Sequence, residues 1–330
     1  MTIALDDNKV WIDGCFDFTH HGHCGAILQA RQTIRNEKNS NGKLYCGVHN
    51  DEEIEYNKDA KPVMNSLERY EHTRSNRWCD EVIESAPYVT SQEVMDQYGC
   101  KYVVHGDDIT LTATGEDCYQ KMKDLNRFRE VKRTKNVSTT DIIDRILNPN
   151  KYLEFNILEE PTLEELEQFG RDKTGHLPYC YVFKTSIDEE NIILKGGYEL
   201  NKNKIVICEG DFDLFNVSDI ERLRLLKDQN PKETKIIVSI NVREDKTHYM
   251  SLKERMLSIM SCKYVDGILI NDDKRKYQEI TRYNINDIGC DSDDNNCKKF
   301  NYLTKELIVE RINDQRERYI KRNIKKGIVN

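Results

Sequence analysis

Apolar positions along the first hundred residues alternate between short continuous runs and helical spacings. Lys9–Asp13 is a compact apolar run that predicts a buried strand, with Asp17–His23 as the turn that follows it. Ala26, Ile27, Ala30 and Ile34 then recur on one helical face. Lys43–His49 predicts a second strand. A cap signal at Ser66 opens another helix, which runs into a strand around Val82 and Ile83. A helix near Ser91–Tyr98 leads into KYVVHGDD, a strand ending in a polar loop. Strands that are apolar throughout and alternate with helices predict an α/β fold with a parallel sheet covered on both faces. Ligands in such folds bind beyond the carboxyl ends of the strands. HHGH, Asn50-Asp51 and HGDD all fall at such ends.

The pattern then repeats. VICEGDFDLFNVSDIERL from Val206 matches VWIDGCFDFTHHGHCGAIL from Val10, aligning Gly210 with Gly14, Phe212 with Phe16 and Asp213 with Asp17. SLKERMLSIMSCKYVDGIL from Ser251 matches SLERYEHTRSNRWCDEVI from Ser66, and LTKELIVERI resembles STTDIIDRIL. Three matches in one order predict a duplicated domain. In the second copy Asn216, Ser218 and Asp219 stand where the first has His20, Gly22 and His23, so its anion chemistry is expected to be lost. The expected boundaries are a first domain at 1–148, a structured connector at 149–203 and a degenerate second copy at 204–330. The connector has Thr162 and Glu165 spaced as a capping box. The basic tail of the second copy is expected to be a frayed, solvated helix.

Composition narrows the function classes. The 330 residues carry a formal net charge of −8, with no basic patch of the kind that binds nucleic acid. No apolar run approaches the ~20 residues of a membrane span, and the N-terminus lacks a signal-peptide pattern. Eleven cysteines at irregular spacing, with no C-x-x-C pair, predict reduced thiols in a cytoplasmic protein.

His20, His21 and His23 crowd one glycine where a strand turns into a helix. The first helical turn has unpaired N–H groups and a partial positive charge, which suits an anion. His20 and His23, three apart, face one way, and Gly22 lets a phosphate approach the backbone. Metal binding stays open as an alternative, although helical two-histidine sites favour i, i+4 spacing.

GCFDFTHHGH resembles the HxGH signature of the nucleotidylyltransferase superfamily, and KRTKNVSTTD resembles the RTxGxSTTD signature of cytidylyltransferases. NRWCDEVIESAPYVT and KYVVHGDDITLT resemble the members that use phosphoethanolamine, and the match covers most of the chain. The resemblance implies two tandem Rossmann-like domains, the second degenerate. It also implies transfer of the cytidylyl group of CTP to phosphoethanolamine, giving CDP-ethanolamine and pyrophosphate. Phosphocholine as substrate, or an inactive nucleotide-binding regulator, are the alternatives.

The implied catalytic residues are His20, His23 and Arg133. Nucleotide would meet Gly14, Phe16, Asp17, Gly22, Ser138, Thr139 and Lys58, with Lys61 competing with Lys58 for the lysine role. Asp17 would either fix the turn or reach the metal. The phosphoamine would meet Arg77, Tyr88 and Asp107. Magnesium would ride on CTP rather than in a protein cage, and homodimer formation is left open. The family's loop glycine is replaced here by Asn136.

Overall fold

A computed structural model describes residues 5–35, 42–134, 137–240, 248–289 and 295–325. Asn136 lies outside them. The chain forms two compact units, Met1–Pro149 with Ile308–Asn330, and Asn150–Leu307.

The first unit runs β1 (Asp6–Gly14), α1 (His21–Gln32), β2 (Lys43–Val48), α2 (Asp51–Lys58), α3 (Ser66–Arg74), β3 (Glu81–Glu84), α4 (Gln92–Gln97), β4 (Cys100–Gly106), α5 (Gln120–Asp124), β5 (Phe128–Val131) and α6 (Thr139–Leu147). Its sheet has the order β3-β2-β1-β4-β5, and every pairing is parallel. The order reverses direction between β1 and β4, so a crevice opens beyond Gly14 and Gly106. Trp11, Tyr45, Met95 and Val103 fill one face of the sheet. The helix α2 and the short β5 had no clear apolar signature. Only Ile54 of α2 is buried, and that helix is set by Asn50 capping the Glu53 amide and by its acidic first turn.

The second unit contains α7 (Leu163–Phe169), β6 (Tyr181–Lys184), β7 (Ile192–Leu194), β8 (Ile205–Gly210), α8 (Val217–Asp228), β9 (Lys235–Ile240), α9 (Leu252–Met260), β10 (Gly267–Ile270), β11 (Thr281–Asn284) and α10 (Asn295–Phe300). Its sheet is β11-β8-β9-β10-β6-β7, parallel except for β6 against β7. The expected connector is therefore part of this unit's sheet, because β6 pairs with β10. Its capping box at Thr162 and Glu165 is present.

The duplication extends to individual hydrogen bonds. Asp17 accepts from the amides of Val63 and Met64, each at 2.9 Å. Asp213 accepts from Tyr249 and Met250 at 3.0 and 2.9 Å. Arg69 donates to the Cys15 carbonyl at 2.7 Å, and Arg255 to that of Asp211 at 2.8 Å. Phe16 and Phe18 have φ of 44° and 58°, Phe212 and Leu214 have 49° and 57°. Non-glycine residues at positive φ are uncommon. Two such pairs in matching turns mark a shared backbone device.

The tail departs from expectation. Helix α11 (Lys305–Asp314) leads into α12 (Arg316–Lys325), and from Ile308 onward the chain groups with the first unit. Arg311 donates to both oxygens of Glu68, at 2.7 and 3.0 Å, and to the Val63 carbonyl at 3.2 Å. The Tyr319 hydroxyl donates to the Lys61 carbonyl at 3.1 Å, and the ring is fully buried. Burying an aromatic side chain stabilises by roughly 1.5–3 kcal/mol, more than the exposed charges of a short helix cost. The segment is therefore docked rather than frayed.

Among the described residues nine cysteines are free thiols. Cys297 is disulfide-bonded, against the expectation of reduced thiols throughout. A disulfide needs two cysteines brought together in space, which irregular spacing alone does not reveal.

Candidate active site

The crevice of the first unit holds a cavity of about 270 Å³ lined by residues from the ends of β1, β2 and β4 and from the starts of α1 and α6. Gly14, Phe16, Asp17, His20, Gly22, His23, Lys58, Lys61, Tyr88, Arg133, Ser138 and Thr139 all line it. Most of the expected residues therefore meet in one place.

His20 is the N-cap of α1, and its Nδ1 accepts the Gly22 amide at 3.1 Å. An amide can only donate, so the neutral ring carries its proton on Nε2. The Thr139 hydroxyl donates to the Asp17 carbonyl at 3.1 Å and lies 3.4 Å from His20 Nε2. The two helix starts therefore converge on this nitrogen. The rings of His20 and His23 sit 4.1 Å apart. Burial pushes His20 well below its ordinary pKa, with the neighbouring His23 adding to the effect. Burial, aided by the charge of Lys58, pushes His23 down to about 3. Both rings are thus neutral at physiological pH and act as N–H donors rather than as fixed charges. His23 Nδ1 is buried with no hydrogen-bond partner among the described residues.

Gly22 is where a side chain is not tolerated. An added Cβ would lie 2.8 Å from His20 Cε1 and 2.9 Å from both His20 Nδ1 and Val137 Cγ1. Asp17 resolves toward turn-fixing, since each of its oxygens accepts a backbone amide from the loop carrying Lys61. Burial raises its pKa, and those two amide bonds oppose the rise. Ser138 caps α6, accepting from the Asp141 amide at 3.1 Å.

Two expected positions fall outside the cavity. Arg77 is buried after α3 and does not line it. Asp107 is exposed, and its carboxylate accepts from the Arg133 amide at 3.2 Å. Its neighbour Asp108 is also exposed but reaches the mouth of the cavity, 3.8 Å from the Arg133 guanidinium.

The sequence reading missed Asp13, His49, His105 and Tyr119, which also line the cavity. Asp13 is buried and accepts from Trp11 Nε1 at 2.8 Å, Thr90 Oγ1 at 2.7 Å and Tyr119 Oη at 2.6 Å. Its signal was present: a carboxylate at the end of a buried strand, directly before Gly14, is costly unless paired or used. Burial raises the Tyr88 hydroxyl to about 12 and, with Asp13 adjacent, that of Tyr119 well above its ordinary value. Both phenols remain protonated.

The matching place in the second unit is crossed by ion pairs. Arg282 pairs with Glu209 at 2.9 Å and with Asp272 at 2.5 Å, and Lys274 also pairs with Glu209. Asn216 caps α8 by accepting the Ser218 amide at 2.9 Å, as His20 does for Gly22. The cap has persisted without the imidazole. Asp219 is buried, which pushes its pKa to about 7.

Comparison with known proteins agrees with this geometry. A family model described as cytidylyltransferase-like matches residues 11–145. The chain is 51% identical over 331 residues to ethanolamine-phosphate cytidylyltransferase of Saccharomyces cerevisiae, covering 99% of each chain. It is 31% identical to that of Mus musculus, covering 96% of this chain and 89% of the relative. Choline-phosphate cytidylyltransferase 2 of Arabidopsis thaliana is 40% identical, over 48% of this chain and 51% of the relative. The phosphoethanolamine-type relatives thus match both units, whereas this choline-type match spans about half the chain. No helix of the described residues is long and apolar enough to cross a membrane. With 51% identity over nearly the whole of both chains to one relative, the chain belongs to the ethanolamine-phosphate cytidylyltransferases.

Proposed function

We propose that the cavity of the first unit joins CTP to phosphoethanolamine by direct in-line displacement. A non-bridging oxygen of the phosphoethanolamine phosphate forms a bond to the α-phosphorus of CTP. The bond from that phosphorus to the bridging oxygen toward the β-phosphate breaks, and pyrophosphate leaves with the electron pair. A phosphomonoester has its second pKa near ~6, so the attacking oxygen is already ionised at neutral pH. No general base is required. What the chain supplies is position and charge neutralisation.

The observation that carries this reading is the neutral imidazole pair at the start of α1, with the start of α6 converging on it. Preorganised donors of this kind are each worth ~10²–10³ in rate. His20 and His23 would donate to the triphosphate as charge passes to the leaving group. Lys58, Lys61 and Arg133 flank the same cavity and would balance its remaining charge. Asp13 is suited to the ammonium of the phosphoamine, with Tyr88 beside the cavity.

Magnesium is proposed to arrive with CTP. Among the described residues no three His, Cys, Asp or Glu side chains are grouped to hold a cation, and both Asp17 oxygens are engaged by amides. The ion would be carried by the triphosphate. Nine free thiols among the described residues favour a cytoplasmic setting, while the disulfide at Cys297 points the other way.

The test is turnover of purified protein with CTP and either phosphoethanolamine or phosphocholine, following pyrophosphate release and the CDP-alcohol formed. CDP-ethanolamine is the expected product. Preferred turnover of phosphocholine would overturn the substrate assignment, and CTP binding without turnover would overturn the activity.

A further inference from the structure

His49 follows β2 and is the least explained group at the inner end of the cavity. Its amide donates to the Gly14 carbonyl at 3.2 Å, which anchors the residue to the end of β1. Its Nδ1 lies 3.0 Å from the Ala86 carbonyl. A carbonyl can only accept, so Nδ1 carries the proton and Nε2 is left as a lone-pair acceptor. No other hydrogen bond reaches the ring among the described residues. The side chain is 4% exposed and lines the cavity. The Tyr88 ring packs against it with centroids 5.0 Å apart.

The charged groups facing it are Asp13, Lys58 and Arg69. Burial, together with Lys58 and Arg69, favours the neutral ring, while Asp13 and the Ala86 bond oppose this. Asp13 accounts for one acceptor here, but Trp11, Thr90 and Tyr119 already donate to it. Among the described residues this bare imidazole nitrogen has no hydrogen-bond partner, and it is a poor neighbour for a phosphate. It suits a ligand that brings N–H groups.

A primary ammonium carries three N–H donors, and a trimethylammonium carries none. We propose that His49 is a specificity-determining residue that accepts one N–H of the substrate ammonium at Nε2, so that a trimethylammonium, which brings no N–H, leaves this nitrogen buried and unpaired. The proposal rests on the reading of the cavity as a phosphoethanolamine site, and it adds how that site rejects the trimethylated homologue. The rejection is a desolvation penalty, because a buried acceptor without a donor loses its water and gains nothing.

The experiment compares kcat/KM for phosphoethanolamine, its N-methyl and N,N-dimethyl forms, and phosphocholine, in the wild type, His49→Leu and His49→Gln. Leucine removes the acceptor, whereas glutamine can restore one through its side-chain oxygen. The expected result is a loss on the order of 10–100-fold for phosphoethanolamine in His49→Leu. Phosphocholine, no longer facing an unpaired acceptor, should be used better than by the wild type, so that the preference narrows from both sides. His49→Gln should recover part of the preference. An equal loss on all four substrates in both variants would mean a purely structural residue and would overturn the proposal. So would a wild type that uses all four alike, a result that stands even if the variants misfold. Absence of turnover with any phosphoamine in the wild type would instead refute the function proposed above.

Discussion

Adding one methyl group at Gly22 is expected to separate stability from turnover. The Cβ of Gly22→Ala would meet His20 Cε1 at 2.8 Å. Relief to an ordinary carbon contact of ~3.5 Å needs a shift of about 0.7 Å. Val137 Cγ1, at 2.9 Å on the other side, blocks the simplest escape of the backbone. The imidazole must therefore move, and with it the Nε2 proton that meets Thr139. A misplacement of ~1 Å at a reacting centre costs about 10²-fold. The same change replaces glycine by alanine inside the first turn of α1, which stabilises a helix by up to ~1 kcal/mol. Overpacking costs ~1–3 kcal/mol, so the two effects partly cancel. The expected outcome is turnover down by about 100-fold with the melting temperature lowered by less than ~10 °C. Steady-state kinetics and a melt on the same preparation test it. Unchanged turnover would refute the idea that His20's position matters, and a collapse of the melt would refute the assignment of the effect to the site.

Three other outcomes follow from geometry. His20→Ala or His23→Ala should each lower kcat by ~10²–10³, whereas Asn216→Ala and Asp219→Ala should leave it within a few-fold; comparable losses would contradict the division between the copies. Burial holds both His23 and His72 at about 3 in the folded chain, against the ordinary value of 6.5. The unfolded chain thus binds more protons between these values, so stability present above pH 6.5 is lost as pH falls, about 2 kcal/mol per histidine by pH 5. In an Asp219→Asn background, which removes the opposing buried carboxylate at about 7, the urea midpoint should drop between pH 7 and pH 5, and a flat or rising midpoint would argue against neutral buried rings. Arg311→Met leaves the Glu68 carboxylate, 1% exposed, without its charged partner. That should cost about 3 kcal/mol, and adding Glu68→Gln should recover part of it in the same urea assay; a double variant no better than the single one would count against the pair.

The fold was legible because the strands are buried on both faces and written as unbroken apolar runs. The turn chemistry of GCFDFTHHGH was equally plain. Less was visible wherever a role depends on what lies across the sheet. Asp107 and Asp108 are adjacent in sequence, and only the path of the loop beyond β4 decides which reaches the cavity. Asp13 was passed over because a strand pattern treats its position as one more core residue. His49 looked like the end of an apolar run, and its meaning comes from the Ala86 carbonyl on a different segment. The tail misled through composition: Arg316, Arg318 and Lys321 are exposed, while the buried Ile308, Ile312 and Tyr319 set where it docks.

That docking has a consequence for how the enzyme is made. The loop bearing Lys61 and Val63 is held from within by Asp17 and from outside by Arg311 and Tyr319. The inner hold exists once the first 149 residues leave the ribosome, but the outer one waits for the whole of Asn150–Leu307 to be translated. At ~5–20 residues per second that delay is roughly 8–30 s. A nascent chain halted before Ile308 should therefore carry a formed sheet and a protease-sensitive lysine loop, and equal protection before and after release would break the link. Closure of the lysine loop would then be a property acquired only after the segment from Ile308 to Lys325 has been translated.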